Sequence, residues 1–223
     1  MPDIRKICWA NPLKAWRFLE AMSYSCSGAI LSGGLNTRMG GHNKAFLVVG
    51  NERILDRLNN TFQDLFEELL LVTNDPLHYL SWDMMMVSDL LPIRSSLTGI
   101  HAALFHASQP HVFVTACDTP FLKTALIRNL LEELEQKWDV IIPVTEEGHQ
   151  PLCAIYSKRC IKPIEHQLQH EDPKILKFFS KVKVKEVPEE KLRAVDPDLV
   201  SFFNINTPED LAASEKIVPD GMA

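Results

Sequence analysis

The sequence predicts an α/β domain: a mostly parallel central sheet in a three-layer arrangement, with helices on both faces. Three observations carry that reading. From residue 28 onward, short apolar runs alternate with segments whose apolar residues recur at helical spacing. The first run, Ala29 to Leu31, breaks into a loop that is rich in glycine. Later runs end in Asn74, Asp89 and Asp118, where an open α/β sheet binds its ligands, beyond the carboxyl ends of the strands. Such a pattern implies right-handed crossovers between parallel strands.

After the glycine loop, Phe46 to Val49 is a short extended piece that ends at Gly50. Ile54, Leu55, Leu58, Phe62, Leu65 and Phe66 follow at helical spacing and predict a helix over 53–66. Leu69 to Val72 is the second strand, stopped by Thr73-Asn74-Asp75-Pro76. Met84 to Val87 is the third, its triple methionine read as core filler. Leu97-Thr98-Gly99-Ile100 opens a helix with Thr98 as its expected N-cap. Val112 to Cys117 is a strand that delivers Asp118, and Thr119-Pro120 leads into a helix over about 124–136. Strands at 140–142 and 152–156 come next. They are followed by helices near 158–168 and 173–180, a strand near 182–187 and an extended stretch at 202–206. In the last helix, Thr207 to about Val218, Thr207 suits the N-cap and Pro208 the first helical position; Glu209 and Asp210 suit the first turn.

At 223 residues the chain can bury one sizeable core, and its 46 % hydrophobic and 23 % charged residues match an ordinary globular domain. The net charge of −6 argues against a general nucleic-acid binder, which needs a basic face. No apolar run approaches the ~20 residues of a membrane span. Cys8, Cys26, Cys117, Cys153 and Cys160 form no C-x-x-C pair and no zinc spacing. An odd, scattered set reads as reduced thiols of a cytoplasmic protein.

Of nine glycines, six fall between Gly28 and Gly50, which marks that loop as more than punctuation. Glycine lets backbone N–H groups approach an anion closely. The loop also holds Arg38 and Lys44 and no carboxylate. A polyphosphate cradle is one reading; a tight strand-to-helix turn with solvated basic residues is the other. The spacing fits neither G-x-x-x-x-G-K-[ST] nor G-x-G-x-x-G.

Asp118 places a hard oxygen ligand at a rigid strand end. That suits Mg²⁺, which uses one or two carboxylates with substrate phosphates; a helix-capping Asp is the alternative. Asn74 and Asp89 stand at the same strand-end edge, and each alone reads as a turn residue. Asn204 and Asn206 flank Ile205 in an extended stretch, so alternation points both amides to one side, where they read as sheet-edge hydrogen bonders.

The loop Leu31-Ser32-Gly33-Gly34 through Arg38-Met39-Gly40 to Lys44 resembles the L-x-G-G-x-x-x-R-M-G-x-x-x-K signature of nucleotidyltransferases with a Rossmann-like fold. Within that group the chain looks most like the molybdenum cofactor guanylyltransferases. Three further segments are similar to theirs: Cys117-Asp118-Thr119-Pro120, Asn204 to Leu211 against N-[IV]-N-T-P-E-[DE]-L, and Leu97-Thr98-Gly99-Ile100 with Ser96 where the family has Pro. The resemblance runs from about Gly28 to Ala212. It implies that Leu31, Ser32, Gly33, Gly34, Lys44, Asn74, Asp89 and Asp118 bind nucleotide, with Asn74 and Asp89 near ribose and guanine. A carboxylate is apt for guanine, whose N1–H and N2–H₂ form an adjacent donor pair. Arg38, Gly99, Asn204 and Asn206 would face the acceptor. Arg38, Lys44 and Asp118 would be the catalytic set, and Asp118 the ligand of Mg²⁺. His149-Gln150-Pro151-Leu152 is similar to an H-P-L region with Gln150 added, and a structural role is expected for His149.

The implied reaction transfers GMP from GTP to molybdopterin and releases pyrophosphate. GTP and molybdopterin are then the substrates of a protein expected to act as a monomer. Other molybdenum cofactor biosynthesis proteins and molybdoenzyme apoproteins are candidate partners. The rival readings are CTP with molybdopterin, an NTP with a sugar phosphate, or a non-catalytic carrier. Cytidylyl relatives tend to have L-A-A-G where this chain has Leu31-Ser32-Gly33-Gly34, which favours the purine. Residues 25–223 are read as one nucleotidyltransferase domain and residues 1–24 as an extension of unknown role. A hypothesis for the latter is that Met22 is the native start; peptides from residues 1–21 in the native protein would refute it.

Overall fold

A computed structural model describes residues 24–33, 43–170 and 172–218. The expectations for residues 1–23, and those for Gly34 and Arg38, fall outside these ranges. The strands are β1 (Cys26–Leu31), β2 (Val48–Val49), β3 (Glu52–Arg53), β4 (Leu69–Val72), β5 (Met85–Val87), β6 (His111–Ala116), β7 (Val140–Thr145), β8 (Gly148–His149), β9 (Cys153–Ser157) and β10 (Val184–Pro188). The α-helices are α1 (Ile54–Gln63), α2 (Ser96–His106), α3 (Thr124–Glu132), α4 (Ile161–Gln169), α5 (Glu189–Arg193) and α6 (Pro208–Ser214).

The main sheet has the order β10-β7-β9-β6-β1-β4-β5, with β8 paired to β7. β9 runs antiparallel to β6 and β7, and β8 antiparallel to β7; every other neighbouring pair in this sheet is parallel. β2 and β3 form a separate antiparallel hairpin. The expected mostly parallel α/β architecture is what the chain adopts.

Side-chain alternation sends successive residues of each strand to opposite faces. Ile30, Leu71 and Phe113 enter one core, which α1 and α3 cover with Leu58, Phe62, Leu126 and Leu130. Ala29, Leu70, Val112 and Val114 enter the other, covered by α2 and α4 with Ile100, Leu104, Ile164 and Leu168. This is the three-layer arrangement. Each fully buried Leu or Ile side chain contributes roughly 1.5–3 kcal/mol by leaving water. At Gly28 the approach of layers is close: an added Cβ would lie 2.6 Å from the Phe66 ring and 2.7 Å from that of Phe62.

Several local expectations are corrected. Helix α2 begins earlier than expected, because the Ser95 hydroxyl, not that of Thr98, caps it by accepting from the Thr98 N–H. Helix α1 stops at Gln63, yet Leu65 and Phe66 still reach the core because both N–H groups donate to the Phe62 carbonyl. Met85 is not core filler: β5 is an edge strand, and its alternation leaves Met85 48 % exposed. The segment Ile175–Lys181 is a 3-10 helix rather than an α-helix, and the short helix α5 is an element the sequence did not predict. Helix α6 ends at Ser214, short of Val218, but its start is as anticipated, with a Thr207–Asp210 capping box and Pro208 in the first turn.

Candidate active site

Strands β6, β1, β4 and β5 are neighbours and mutually parallel, so their carboxyl ends lie side by side. The ladder continues one residue beyond them: Cys117 N–H donates to Leu31 O, Ser32 N–H to Val72 O and Thr73 N–H to Val87 O. Asp118, Gly33, Asn74 and Asp89 follow these four ends. They line a cleft of about 550 Å³ together with Leu31, Lys44, Gly99 and Asn206. Sequence separation is therefore cancelled by strand order.

The charged centre of the cleft is compact. Lys44 is carried by a 3-10 turn, Lys44–Phe46, capped by the Asn43 side chain, which accepts from the Ala45 N–H. Its ammonium lies 3.1 Å from Asp118 Oδ2 and donates to Asn206 Oδ1 at 2.7 Å. The two side chains are only 14 % and 19 % exposed, so both charges sit partly out of water while still open to a ligand. The Ile205 N–H donates to the Asp118 carbonyl and so fixes the Asn206 segment beside the end of β6. Asp210 Oδ2 accepts from the N–H groups of Asn206 and Thr207, which hold the Asp210 carboxyl below the usual range.

At the outer end of the cleft Asn74 and Asp89 are joined to each other. Asn74 Nδ2 donates to Asp89 Oδ2 at 2.8 Å, and the Asp89 N–H donates to Asn74 Oδ1 at 3.2 Å. This double contact fixes the orientation of the amide and leaves Asp89 Oδ1 for another donor. Between the two ends, Asn74 Nδ2, at 4.0 Å, is the one atom of the described residues that a Cβ added at Gly33 would meet. Packing against the described residues does not require glycine there, whereas a ligand lying against the backbone would. Gly99 differs: its Cβ would press on Leu31 at 3.3 Å, so that glycine serves helix-to-strand packing as well as lining the cleft.

The expected set is not all brought together. Asn204 is exposed, and its amide donates to its own chain at Phe202 O. Alternation fails here because the preceding residues form a 3-10 turn, Val200–Phe202, and the segment pairs with no strand. Ser32 turns from the cleft to the Tyr79 hydroxyl, 2.6 Å away. His149 lies elsewhere, on Glu186 at 2.7 Å and edge-on to Phe179. Residues with no binding role assigned from the sequence also line the cleft: Arg94, Ser95, Ser96 and Cys117. Arg94 is exposed and has no ion pair among the described residues. Burial, and secondarily the Asp118 charge, push the Cys117 thiol up to about 11, so it stays protonated. The one available signal was position, since Arg94 sits in a strand-to-helix loop at the ligand-binding end of the sheet.

Cofactor fit follows from the donors present. Among the described residues no cluster of three His, Cys, Asp or Glu side chains could cage a metal. Asp118 offers a single carboxylate beside open cleft, a donor set that fits Mg²⁺ arriving with substrate phosphates and not an all-protein site.

A four-strand parallel end with a glycine approach, a lysine and a strand-end carboxylate defines an α/β nucleotide-handling domain. Comparison with known proteins narrows the class. Residues 28–186 match the profile of the MobA-like NTP transferase domain. The molybdenum cofactor guanylyltransferase of Desulfosudis oleivorans is 43 % identical over 195 residues, covering 87 % of this chain and 96 % of that protein. A probable molybdenum cofactor guanylyltransferase of Natranaerobius thermophilus is 38 % identical, covering 87 % and 97 %. The crystal structure of molybdopterin-guanine dinucleotide biosynthesis protein A from Archaeoglobus fulgidus superposes with a TM-score of 0.73 at 30 % identity, covering 86 % of this chain and 97 % of that one. The chain belongs to the MobA-like NTP transferase family, and it is a nucleotidyltransferase.

Proposed function

We propose that the protein is a molybdenum cofactor guanylyltransferase that joins GMP from GTP to molybdopterin. In the reaction a terminal phosphate oxygen of molybdopterin attacks the α-phosphorus of GTP. A new P–O bond forms as the bond to the β-phosphate oxygen breaks, and pyrophosphate departs with the electron pair. The attacking oxygen is already ionised at neutral pH, so no side chain needs to act as general base.

What the protein must supply is alignment of two anions and stabilisation of charge in the transition state. Lys44 acts on the triphosphate as a point charge. Its tether to Asn206 keeps that charge at one place before the nucleotide arrives. Arg94 provides a second cation at the rim, and Arg38 a third from the glycine-rich loop. Asp89 Oδ1 accepts from guanine, while Asn74 holds the other carboxylate oxygen. Asp118 would hold Mg²⁺, which supplies neutralisation of phosphate charge when bound. The remaining parts of the reading are a cytoplasmic location and dependence on Mg²⁺. No helix among the described residues is long and apolar enough to cross a membrane.

The observation that carries the proposal is the Lys44–Asp118 pair set in a cleft at the carboxyl ends of parallel strands. Calorimetry with GTP, CTP and ATP in the presence of Mg²⁺ tests it. GTP should bind tightest. Preference for CTP would move the protein to the cytidylyl branch, and binding without pyrophosphate release would make it a carrier.

A further inference from the structure

We propose that Tyr79 is a positioning residue whose buried hydroxyl staples together the two ends of the glycine-rich loop; the inference rests on that loop holding the nucleotide. Tyr79 is fully buried at the end of a 3-10 turn, Pro76–Tyr79, shortly after β4. Its hydroxyl accepts from Asn43 Nδ2 at 2.5 Å and lies 2.6 Å from Ser32 Oγ. Ser32 directly precedes Gly33, and Asn43 directly precedes Lys44. One phenol oxygen thus joins the residue where the loop leaves β1 to the residue where it returns with its lysine.

Both partners are committed at their other ends, which makes the contact more than the satisfaction of a core tyrosine. Asn43 Oδ1 caps the turn that carries Lys44, so the amide orientation is fixed and Nδ2 is the end that reaches Tyr79. The Tyr79 ring lies tilted against Phe46 of the same turn, with centroids 5.1 Å apart, and Trp82 stacks on Phe46 from 5.7 Å. The Ser32 N–H is held by the Val72 carbonyl. The hydroxyl therefore ties the strand side of the loop to its lysine side through groups that are themselves anchored. Closing the ends of a loop in advance lowers the conformational entropy that a ligand must remove on binding.

The test compares the full chain with Tyr79→Phe, which keeps the ring and deletes the hydroxyl. Hydrogen exchange read by mass spectrometry on the ligand-free protein should show faster exchange confined to residues 33–43, with β4 unmoved and the melting temperature lowered by only a few degrees. The KM for GTP in Mg²⁺ should rise by about tenfold, with kcat at saturation held within about threefold. Unchanged exchange at 33–43 with an unchanged KM overturns the staple. So does faster exchange that spreads through β4, which would mark Tyr79 as an ordinary core residue. If the wild-type protein does not bind GTP but Tyr79→Phe still speeds exchange at 33–43, the staple stands and the nucleotide reading falls. Should Tyr79→Phe fail to fold, Ser32→Ala removes the opposite partner and is read in the same way.

Discussion

The Lys44 ammonium and the Asp118 carboxylate, 74 residues apart in sequence, lie 3.1 Å from each other in the cleft. Neither could be placed there by local structure alone. Lys44 is set by a capped 3-10 turn beyond the glycine-rich loop, and Asp118 by the rigid end of β6. Asn206 adds a third side chain from the C-terminal segment, so three separate parts of the chain converge on one ammonium group.

Removing that ammonium should therefore be costly in the transition state and cheap for the fold. Lys44→Ala should lose about 2–4 kcal/mol of transition-state stabilisation, the range for removal of one electrostatic donor. In kcat/KM this is roughly 30- to 1,000-fold. Steady-state kinetics over a range of GTP concentrations reads it; a near-normal kcat/KM would remove Lys44 from its role.

The Asn74–Asp89 contact bears on base choice. Asp89→Asn replaces an acceptor with a donor toward guanine and should weaken GTP binding by about 1–3 kcal/mol, the cost of an unmatched polar pair. The same change should leave ATP binding little altered. Competition binding with the two nucleotides measures the difference, and an equal loss for both would show that Asp89 does not read the base.

Two glycines should behave in opposite ways. Gly33→Ala adds a methyl group that meets no atom of the described residues closer than 4.0 Å, so stability should hold while GTP affinity falls. Gly28→Ala drives a methyl group into the Phe62 and Phe66 rings, and should destabilise by about 1–3 kcal/mol through overpacking. Chemical denaturation paired with nucleotide titration separates the two.

Much of this site could be read from sequence, for a definite reason. Apolar runs that end abruptly at Asn74, Asp89 and Asp118 mark strand ends, and in a parallel sheet strand ends share one edge. The order of the strands then brings those residues together without further information. Side-chain direction was less accessible. Asn204 was expected beside Asn206 on the premise of strand alternation, but the 3-10 turn at Val200–Phe202 breaks the period and turns its amide back to Phe202. Ser95 took the capping role expected of Thr98 because the helix begins before its apolar pattern does. Tyr79 and Arg94 carry no motif at all; their importance comes only from what the fold places next to them.

The buried thiols set a pH dependence. Burial raises Cys117 from an ordinary value of 9.0 to about 11, Cys160 to about 12, and Cys26 and Cys153 higher still. Above pH 9 the unfolded chain loses protons that the folded chain retains, so stability should fall as pH rises from about 9 toward 11. Urea midpoints at pH 8 and pH 10 should show the lower value at pH 10, and the thiols should resist alkylation at neutral pH until the chain unfolds.

Pyrophosphate release from GTP and molybdopterin in Mg²⁺, with wild-type protein beside Asp118→Ala, meets the central claim most directly. The expected result is GTP-dependent release by the wild type and none by the variant, together with loss of its metal-dependent GTP binding. Undiminished release by Asp118→Ala, or no release from GTP by the wild-type protein, would contradict it.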